Sequence, residues 1–319
     1  MIEGEGHPMS EPMPPALIAL DWGSSSFRAY LMAREGAILD EIATEDGIST
    51  VAPGGYPATL KRLIAGWLAE RAGLPIVASG MVGSRHGWRE APYIPCPADL
   101  RTIAGRLIAV ESEDVRVHIA PGLMMTEGAD GEPDVMRGEE VEILGIADTG
   151  AGLVVLPGSH SKWALVEAGR VLAFKTFPTG ELFAAIRQHT LVGAFARAAS
   201  PKPPAAAFAR GVMRGAAAAR GEANTGLVGA LFGARSLPLL GLLPEDEAGE
   251  YLSGLLIGAE IAEARRLYPD GAPQVAGAKA LVERYLAALA ALAIPARAAP
   301  AGAAARGLRL IARENGLLR

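Results

Sequence analysis

Two short segments of this 319-residue chain carry residue types suited to holding phosphate. The first is Asp21-Trp22-Gly23-Ser24-Ser25-Ser26-Phe27-Arg28, where a carboxylate ends an apolar run and is followed by a glycine and three hydroxyls. A carboxylate at the end of a buried strand needs a cation or hydrogen-bond donors. A metal-bound phosphate satisfies the whole segment: Asp21 can hold Mg²⁺ directly or through water, Gly23 lets the backbone approach an anion, Ser24, Ser25 and Ser26 donate, and Arg28 adds positive charge. Taken alone, a polar hairpin tip explains it equally well. The chain contains no G-x-x-x-x-G-K-[ST], so the chemistry is not of the Walker type. The second segment, Leu156-Pro157-Gly158-Ser159-His160-Ser161-Lys162-Trp163, stands at the matching place in the second half. Two such tips at equivalent positions point to a nucleotide phosphate site, with Gly158, Ser159, His160 and Lys162 on its second side.

Three further segments could complete a reaction. In Val135-Met136-Arg137-Gly138-Glu139-Glu140 the glutamates open a helix. Acidic residues in a first turn ordinarily serve the helix dipole, but beside a cleft one could accept a hydroxyl proton during phosphoryl transfer. Glu139 and Glu140 cannot both face a cleft, because helix neighbours point about 100° apart. The loop over 79–93 combines glycines with Ser84, Arg85, His86, Trp88, Arg89 and Tyr93. That composition suits a small, anionic, hydroxylated substrate, and a merely mobile loop has little use for two aromatics. Val275-Ala276-Gly277-Ala278-Lys279 reads as a strand-to-helix turn, where Gly277 permits close approach of a flat ring and the helix start favours anions. No H-x-x-x-H or C-x-x-C spacing occurs, which argues against a zinc site.

Elements must position these groups. An apolar run over 17–21, a turn at 23–26 and a strand-forming run over 27–32 predict a β-hairpin, followed by a third strand over 37–43. Leu60, Leu63, Ile64, Trp67 and Leu68 predict a helix over 56–72, closed by Gly73 and Pro75. A strand over 75–78, a helix over 97–107, a strand over 115–120 and a helix over 137–147 complete the first half. The second half repeats the order: strands over 153–156, 162–166 and 171–177, a helix from Glu181, an Ala-rich helical insertion over 191–269, a strand over 274–276, a helix over 279–292, a strand over 293–297 and a helix over 302–312. The expectation is an α/β protein of two domains, 16–149 and 150–319, each βββαβαβα, facing one another across a cleft, after a flexible extension over 1–15. Inside the insertion, 252–267 is a helix apolar on both sides, with Gly254 and Gly258 where another backbone can come close.

Composition excludes several classes. Thirty basic against 35 acidic residues give a net charge of -5, which offers no general attraction to nucleic acid or anionic membrane. Neither a helix-turn-helix segment nor a basic arm is evident. The longest apolar stretches, 237–243 and 285–296, fall short of the ~20 residues that span a bilayer. The first 15 residues lack the basic-then-apolar pattern of a secretory signal. A single cysteine, Cys96, cannot pair internally and fits a reducing cytoplasm; set between Pro95 and Pro97, it reads as structural.

The duplicated order with an Asp-bearing first hairpin resembles the superfamily of sugar kinases, actin and heat-shock chaperone ATPases, the actin-like ATPase (ribonuclease H-like) fold. Within it the chain is similar to the 2-dehydro-3-deoxygalactonokinase family. The matching segments are A-L-D-W-G-S-S-S-F-R-A-Y-L, S-G-M-V-G-S-R-H-G-W-R-E-A-P-Y, M-R-G-E-E, L-P-G-S-H-S-K-W, T-G-E-L from Thr179 and L-S-G-L-L-I-G-A-E from Leu252. The resemblance implies ATP-dependent, Mg²⁺-assisted phosphorylation of 2-dehydro-3-deoxy-D-galactonate on its 6-hydroxyl, in galactonate breakdown. It implies that Asp21, Gly23 and Ser24 to Ser26 form the first phosphate motif and Gly158, Ser159 and His160 the second. Gly277 falls in the counterpart of the adenosine motif, where Ala-Gly-Ala replaces the consecutive glycines of many members. Gly-Glu-Glu also resembles the place where exopolyphosphatases carry a catalytic glutamate, which makes Glu139 the expected base, with Glu140 second and Asp21 third. Arg85, His86 and Arg89 are expected partners of the substrate carboxylate. Two rivals share the fold: an exopolyphosphatase-like phosphohydrolase and a nucleotide-dependent regulator. The expected partner is a small sugar acid; a homo-oligomer is left open.

Overall fold

The computed structural model describes residues 13–71, 73–112, 115–147, 152–197 and 206–318. Most of the expected extension, the expected domain boundary and residues 198–205 of the insertion lie outside them.

The first half runs β1 (Pro15–Trp22), β2 (Phe27–Ala33), β3 (Ile38–Thr44), α1 (Tyr56–Leu63), α2 (Ala65–Glu70), β4 (Ile76–Ser79), β5 (Tyr93–Pro95), β6 (Ala98–Asp99), α3 (Leu100–Ala104), β7 (Ile108–Ser112), β8 (Val115–Ile119), β9 (Gly122–Met125), β10 (Asp134–Met136) and α4 (Glu139–Ala147). The second runs β11 (Leu153–Leu156), β12 (Ser161–Glu167), β13 (Arg170–Phe177), α5 (Thr179–His189), α6 (Ala206–Arg220), α7 (Leu227–Leu231), α8 (Gly233–Leu239), α9 (Ala248–Leu267), β14 (Pro273–Val275), α10 (Lys279–Ala291), β15 (Arg297–Ala298) and α11 (Ala303–Glu314).

Five strands of each sheet share one order, β3-β2-β1-β4-β8 and β13-β12-β11-β14-β15. In both, the hairpin strands pair antiparallel and the next two parallel. The central strands are buried on both faces, which is why Leu17 to Leu20 and Leu153 to Leu156 read as unbroken apolar runs. The mixed α/β architecture expected from the sequence is therefore present.

Several local expectations give way to turn chemistry. The helix expected from residue 137 begins at Glu139, because Gly138 takes a φ of +104° and breaks the path. The helix expected over 97–107 shrinks to α3, capped by the Asp99 carboxylate on the Thr102 amide at 2.8 Å and stopped at Gly105. Ala98–Asp99 instead pairs with β13, so the first half lends an edge strand to the second sheet. The helix over 56–72 is divided at Ile64, a fully buried residue outside helical geometry. The strand over 293–297 is displaced to β15 as Ala293 turns at a φ of +55°. A small sheet, β10-β9-β5, was not foreseen.

The halves share a core. Helices α4 and α11 lie between the two sheets, so that Leu17 and Val77 of one sheet and Val154 and Ala164 of the other pack on Val141, Leu144, Leu308 and Ile311. The helices meet backbone to backbone: a Cβ on Gly145 would overlap the Ala303 carbonyl, and one on Gly307 the Val141 carbonyl. Each sheet also packs an outer core, around Trp22, Phe27 and Trp67 on one side and Trp163, Phe208 and Tyr285 on the other. As expected, α9 is buried nearly all round, with Gly254 and Gly258 against the α6 backbone and Gly211 and Gly215 of α6 returning the contact. Among the described residues no helix is long and apolar enough to cross a membrane.

Candidate active site

The end of β1, the turn after β4 and the start of α4 converge because glycines remove side chains from their contacts. A Cβ on Gly80 would sit 2.7 Å from the Trp22 carbonyl, and one on Gly138 would sit 3.0 Å from the Gly80 Cα. This convergence opens a cavity of about 280 Å³ between the halves. Asp21, Gly23 and Ser24 of the first hairpin line one side, Gly158, Ser159 and His160 of the second hairpin line the other, and Glu139, Glu142 and Gly277 close it.

Three carboxylates, from Asp21, Glu139 and Glu142, thus face one partly dry space. Burial pushes the Asp21 carboxyl above the usual range, opposed by Arg28 directly across the hairpin and reinforced by Glu139. Glu142 is pushed up to about 7, first by burial and then by the Asp21 and Glu139 charges. Across the cleft, the buried Lys162 ammonium stands 3.0 Å from Glu139 Oε1 and donates to the His160 carbonyl at 2.9 Å. Glu139 Oε2 accepts from the Arg137 amide at 3.0 Å. Glu140 turns the other way: fully buried and absent from the cavity wall, it accepts from the Gly138 amide at 2.7 and 3.0 Å, and burial and then Glu139 push it to about 8. This is the separation of neighbouring glutamates that helix geometry requires. The same geometry puts residue i+3 back on the first face, so Glu142 was within reach of sequence reasoning and was missed.

A second cavity of about 260 Å³ adjoins the first at Gly158. Phe183, Leu256, Ile257 and Leu281 give it apolar walls, and Glu250 and Arg284, which also line it, pair at 2.8 Å. Behind it Glu260 of α9, fully enclosed, accepts from Trp163 Nε1 at 2.8 Å and Tyr285 Oη at 2.7 Å, tying the insertion to β12 and α10. An acidic residue in a helix apolar on all sides is the sequence signal for such a network.

The other anticipated residues are dispersed. Ser25, Ser26 and Arg28 are exposed and outside the cavity wall. Of the loop over 79–93 only Gly80 and Met81 reach it. Arg85, His86 and Arg89 are exposed, and the Ser84 hydroxyl is buried without a partner. Trp88 stacks on Tyr56 at 6.0 Å, and Tyr93 lies under the Arg137 guanidinium at 4.2 Å. The two aromatics therefore hold the loop down. Arg137, which sequence reasoning passed over, is buried on the cavity wall, with Nη2 on the Ala91 carbonyl and with Nε and Nη1 unpartnered. The Cys96 thiol is half-buried and pushed to about 12 by burial.

Two like α/β halves bring both hairpin tips and the carboxylates of Asp21, Glu139 and Glu142 to one cavity, a set of donors and acceptors of the kind that phosphoryl transfer uses. The family model described as 2-keto-3-deoxy-galactonokinase matches residues 21–311, and the chain belongs to that family. It is 41% identical over 251 residues to a Rhizobium meliloti protein carrying the name 2-dehydro-3-deoxygalactonokinase DgoK1, covering 77% of this chain and 79% of that one. It is 36% identical over 256 residues to the 2-dehydro-3-deoxygalactonokinase of Escherichia coli, covering 79% and 82%. A crystal structure described as a 2-dehydro-3-deoxygalactonokinase protein from Sinorhizobium meliloti superposes with a TM-score of 0.84 at 39% identity, covering 93% of this chain and 98% of the other. These matches lend no support to the phosphohydrolase or regulator readings.

Proposed function

We propose that the chain transfers the γ-phosphoryl group of ATP to the 6-hydroxyl of 2-dehydro-3-deoxy-D-galactonate, giving the 6-phosphate and ADP. The observation that carries this is the meeting of both hairpin tips and the α4 carboxylates on one cavity, in a chain of this family. The polyphosphate lies between Gly23-Ser24 and Gly158-Ser159-His160, and the base enters the adjoining apolar cavity beyond Gly158 and Gly277. The exposed Ser25, Ser26 and Arg28 serve as outer donors of the first tip. Glu139 is the carboxylate we assign to receive the hydroxyl proton, Lys162 holding it in place from across the cleft. Phosphoryl transfer asks for alignment and charge neutralisation more than for covalent chemistry.

The residues fit a Mg²⁺ ion that arrives with the nucleotide. Carboxylate oxygens of Asp21 and Glu142 share the cavity with Ser24, and Mg²⁺ takes one or two carboxylates together with phosphate and water. Among the described residues no group of three acidic, His or Cys side chains stands ready as a complete metal site, so Asp21 and Glu142 would hold an ion whose other ligands come from the nucleotide. When bound, it neutralises charge on the phosphate oxygens. At the far end of the substrate, the unpartnered Nε and Nη1 of Arg137 are donors a carboxylate would satisfy. The ATP requirement and the single cysteine support a cytoplasmic setting.

A coupled ADP-release assay with Mg²⁺ATP tests the proposal, using 2-dehydro-3-deoxygalactonate, its gluconate epimer, polyphosphate and no acceptor. Turnover with the galactonate compound supports it; turnover with the epimer alone reassigns the substrate; acceptor-independent release defeats it.

A further inference from the structure

The segment Thr179-Gly180-Glu181-Leu182 is part of what the family resemblance rests on, yet the reaction as assigned leaves it unused. It forms the first turn of α5, directly behind the second hairpin. A Cβ on Gly180 would overlap the Gly158 carbonyl and come within 2.9 Å of the Ser159 Cα, so the turn lies flat against the tip. The Glu181 amide donates to the Ser159 carbonyl at 3.0 Å. The Glu181 side chain then reaches round to His160, with Oε2 at 2.7 Å from Nε2. The other imidazole nitrogen, Nδ1, stands 3.5 Å from the Ser159 hydroxyl. Ser159 and His160 both line the cavity, whereas Glu181 does not.

We propose that Glu181 is a positioning residue that fixes the His160 ring, so that His160 Nδ1 and Ser159 Oγ together face the nucleotide polyphosphate. A carboxylate only accepts, so Nε2 donates to Glu181 and the plane of the ring is fixed. With Nε2 engaged, the edge turned to the ligand is Nδ1 with the Ser159 hydroxyl beside it; the hydroxyl donates to a phosphate oxygen, and Nδ1 does so when the ring carries both protons. Charge-assisted donors of this kind are the stronger ones. The other charged group at the tip, the Lys162 ammonium, is occupied by Glu139 and the His160 carbonyl. Rigid preorganisation matters because an imidazole free to rotate would have to be ordered when the ligand binds. His160 and Glu181 are exposed to 49% and 63% in the free chain, open to a ligand that would cover them.

The inference rests on the nucleotide reading of the cavity, and binding separates it from turnover. Dissociation constants of MgAMPPNP would be measured by calorimetry for the wild type, Glu181→Ala, His160→Ala and the double variant. Because Glu181 acts through His160, Glu181→Ala is expected to weaken binding about fivefold alone and by less than twofold in the His160→Ala background. Ala keeps the backbone hydrogen bond to Ser159, so a merely structural role would give equal losses in both backgrounds. Equal losses, or no loss in the single variant, overturn the proposal. Wild-type binding of MgAMPPNP without sugar-acid phosphorylation would defeat the kinase assignment and leave this inference standing.

Discussion

Glu140 offers a sharp test of the electrostatics beneath the site. Its carboxyl is fully buried, and burial and then the Glu139 charge push it up to about 8, against an ordinary value of 4.5. The folded chain therefore keeps a proton that the unfolded chain releases. Stability contributed this way is complete below about pH 4.5 and is lost as pH rises through about 8. The difference of about 3.5 units corresponds to about 5 kcal/mol at 1.36 kcal/mol per unit. Between pH 5.5 and 8.5 about 3 kcal/mol of it should disappear. Glu140→Gln mimics the neutral acid and cannot titrate, and any constant penalty from its extra amide hydrogen is the same at every pH. Asp21, Glu142 and Glu260 titrate in both proteins and largely cancel in the difference. Urea unfolding followed by fluorescence of the four tryptophans, at four pH values across that window, should show the variant gaining about 3 kcal/mol on the wild type from the acid to the alkaline end. Parallel stability curves would show that Glu140 is ionised throughout and that the account of its burial is wrong.

Other consequences concern separate parts of the molecule. Glu139→Gln should lower kcat for sugar-acid phosphorylation by about 10²- to 10⁴-fold with little change in nucleotide affinity, read from steady-state kinetics and MgADP binding; wild-type turnover would remove Glu139 as base. Gly258→Ala forces a methyl into the Val212 backbone and should destabilise the fold by about 1–3 kcal/mol in urea unfolding, with a parallel effect for Gly254→Ala against Phe208. Asp134 accepts from the Thr176 amide and hydroxyl, each at 2.7 Å, linking β10 to β13. Asp134→Ala should cost about 1.5–3 kcal/mol of stability by the same measurement. Arg284→Met, which strands the buried Glu250 carboxylate in the wall of the apolar cavity, should raise the KM for ATP and leave that for the sugar acid unchanged.

How much of this was legible follows from the range over which each signal acts. Apolar runs ending in Gly-Ser tips were enough to place both hairpins, and repetition of the element order was enough to expect two like halves. The glycines of α9, four residues apart on an apolar helix, announced a close helix partner, which proved to be α6. These are signals of periodicity and turn chemistry, complete within a dozen residues. Tertiary structure decided the company each group keeps. The positive φ of Gly138 started α4 two residues late, and packing turned Glu139 and Glu142 to the cavity and Glu140 into the core. Trp88 and Tyr93, expected at a substrate, were drawn to Tyr56 and Arg137. Ala98–Asp99 left a helix for the edge of a sheet some 70 residues onward. Glu260 reached Trp163 across 97 positions. Composition and spacing determine which chemistry a segment can carry and which local shape it takes. Whether a side chain meets a ligand, a neighbour or water depends on which distant segment arrives beside it, and burial free energy summed over the whole chain decides that.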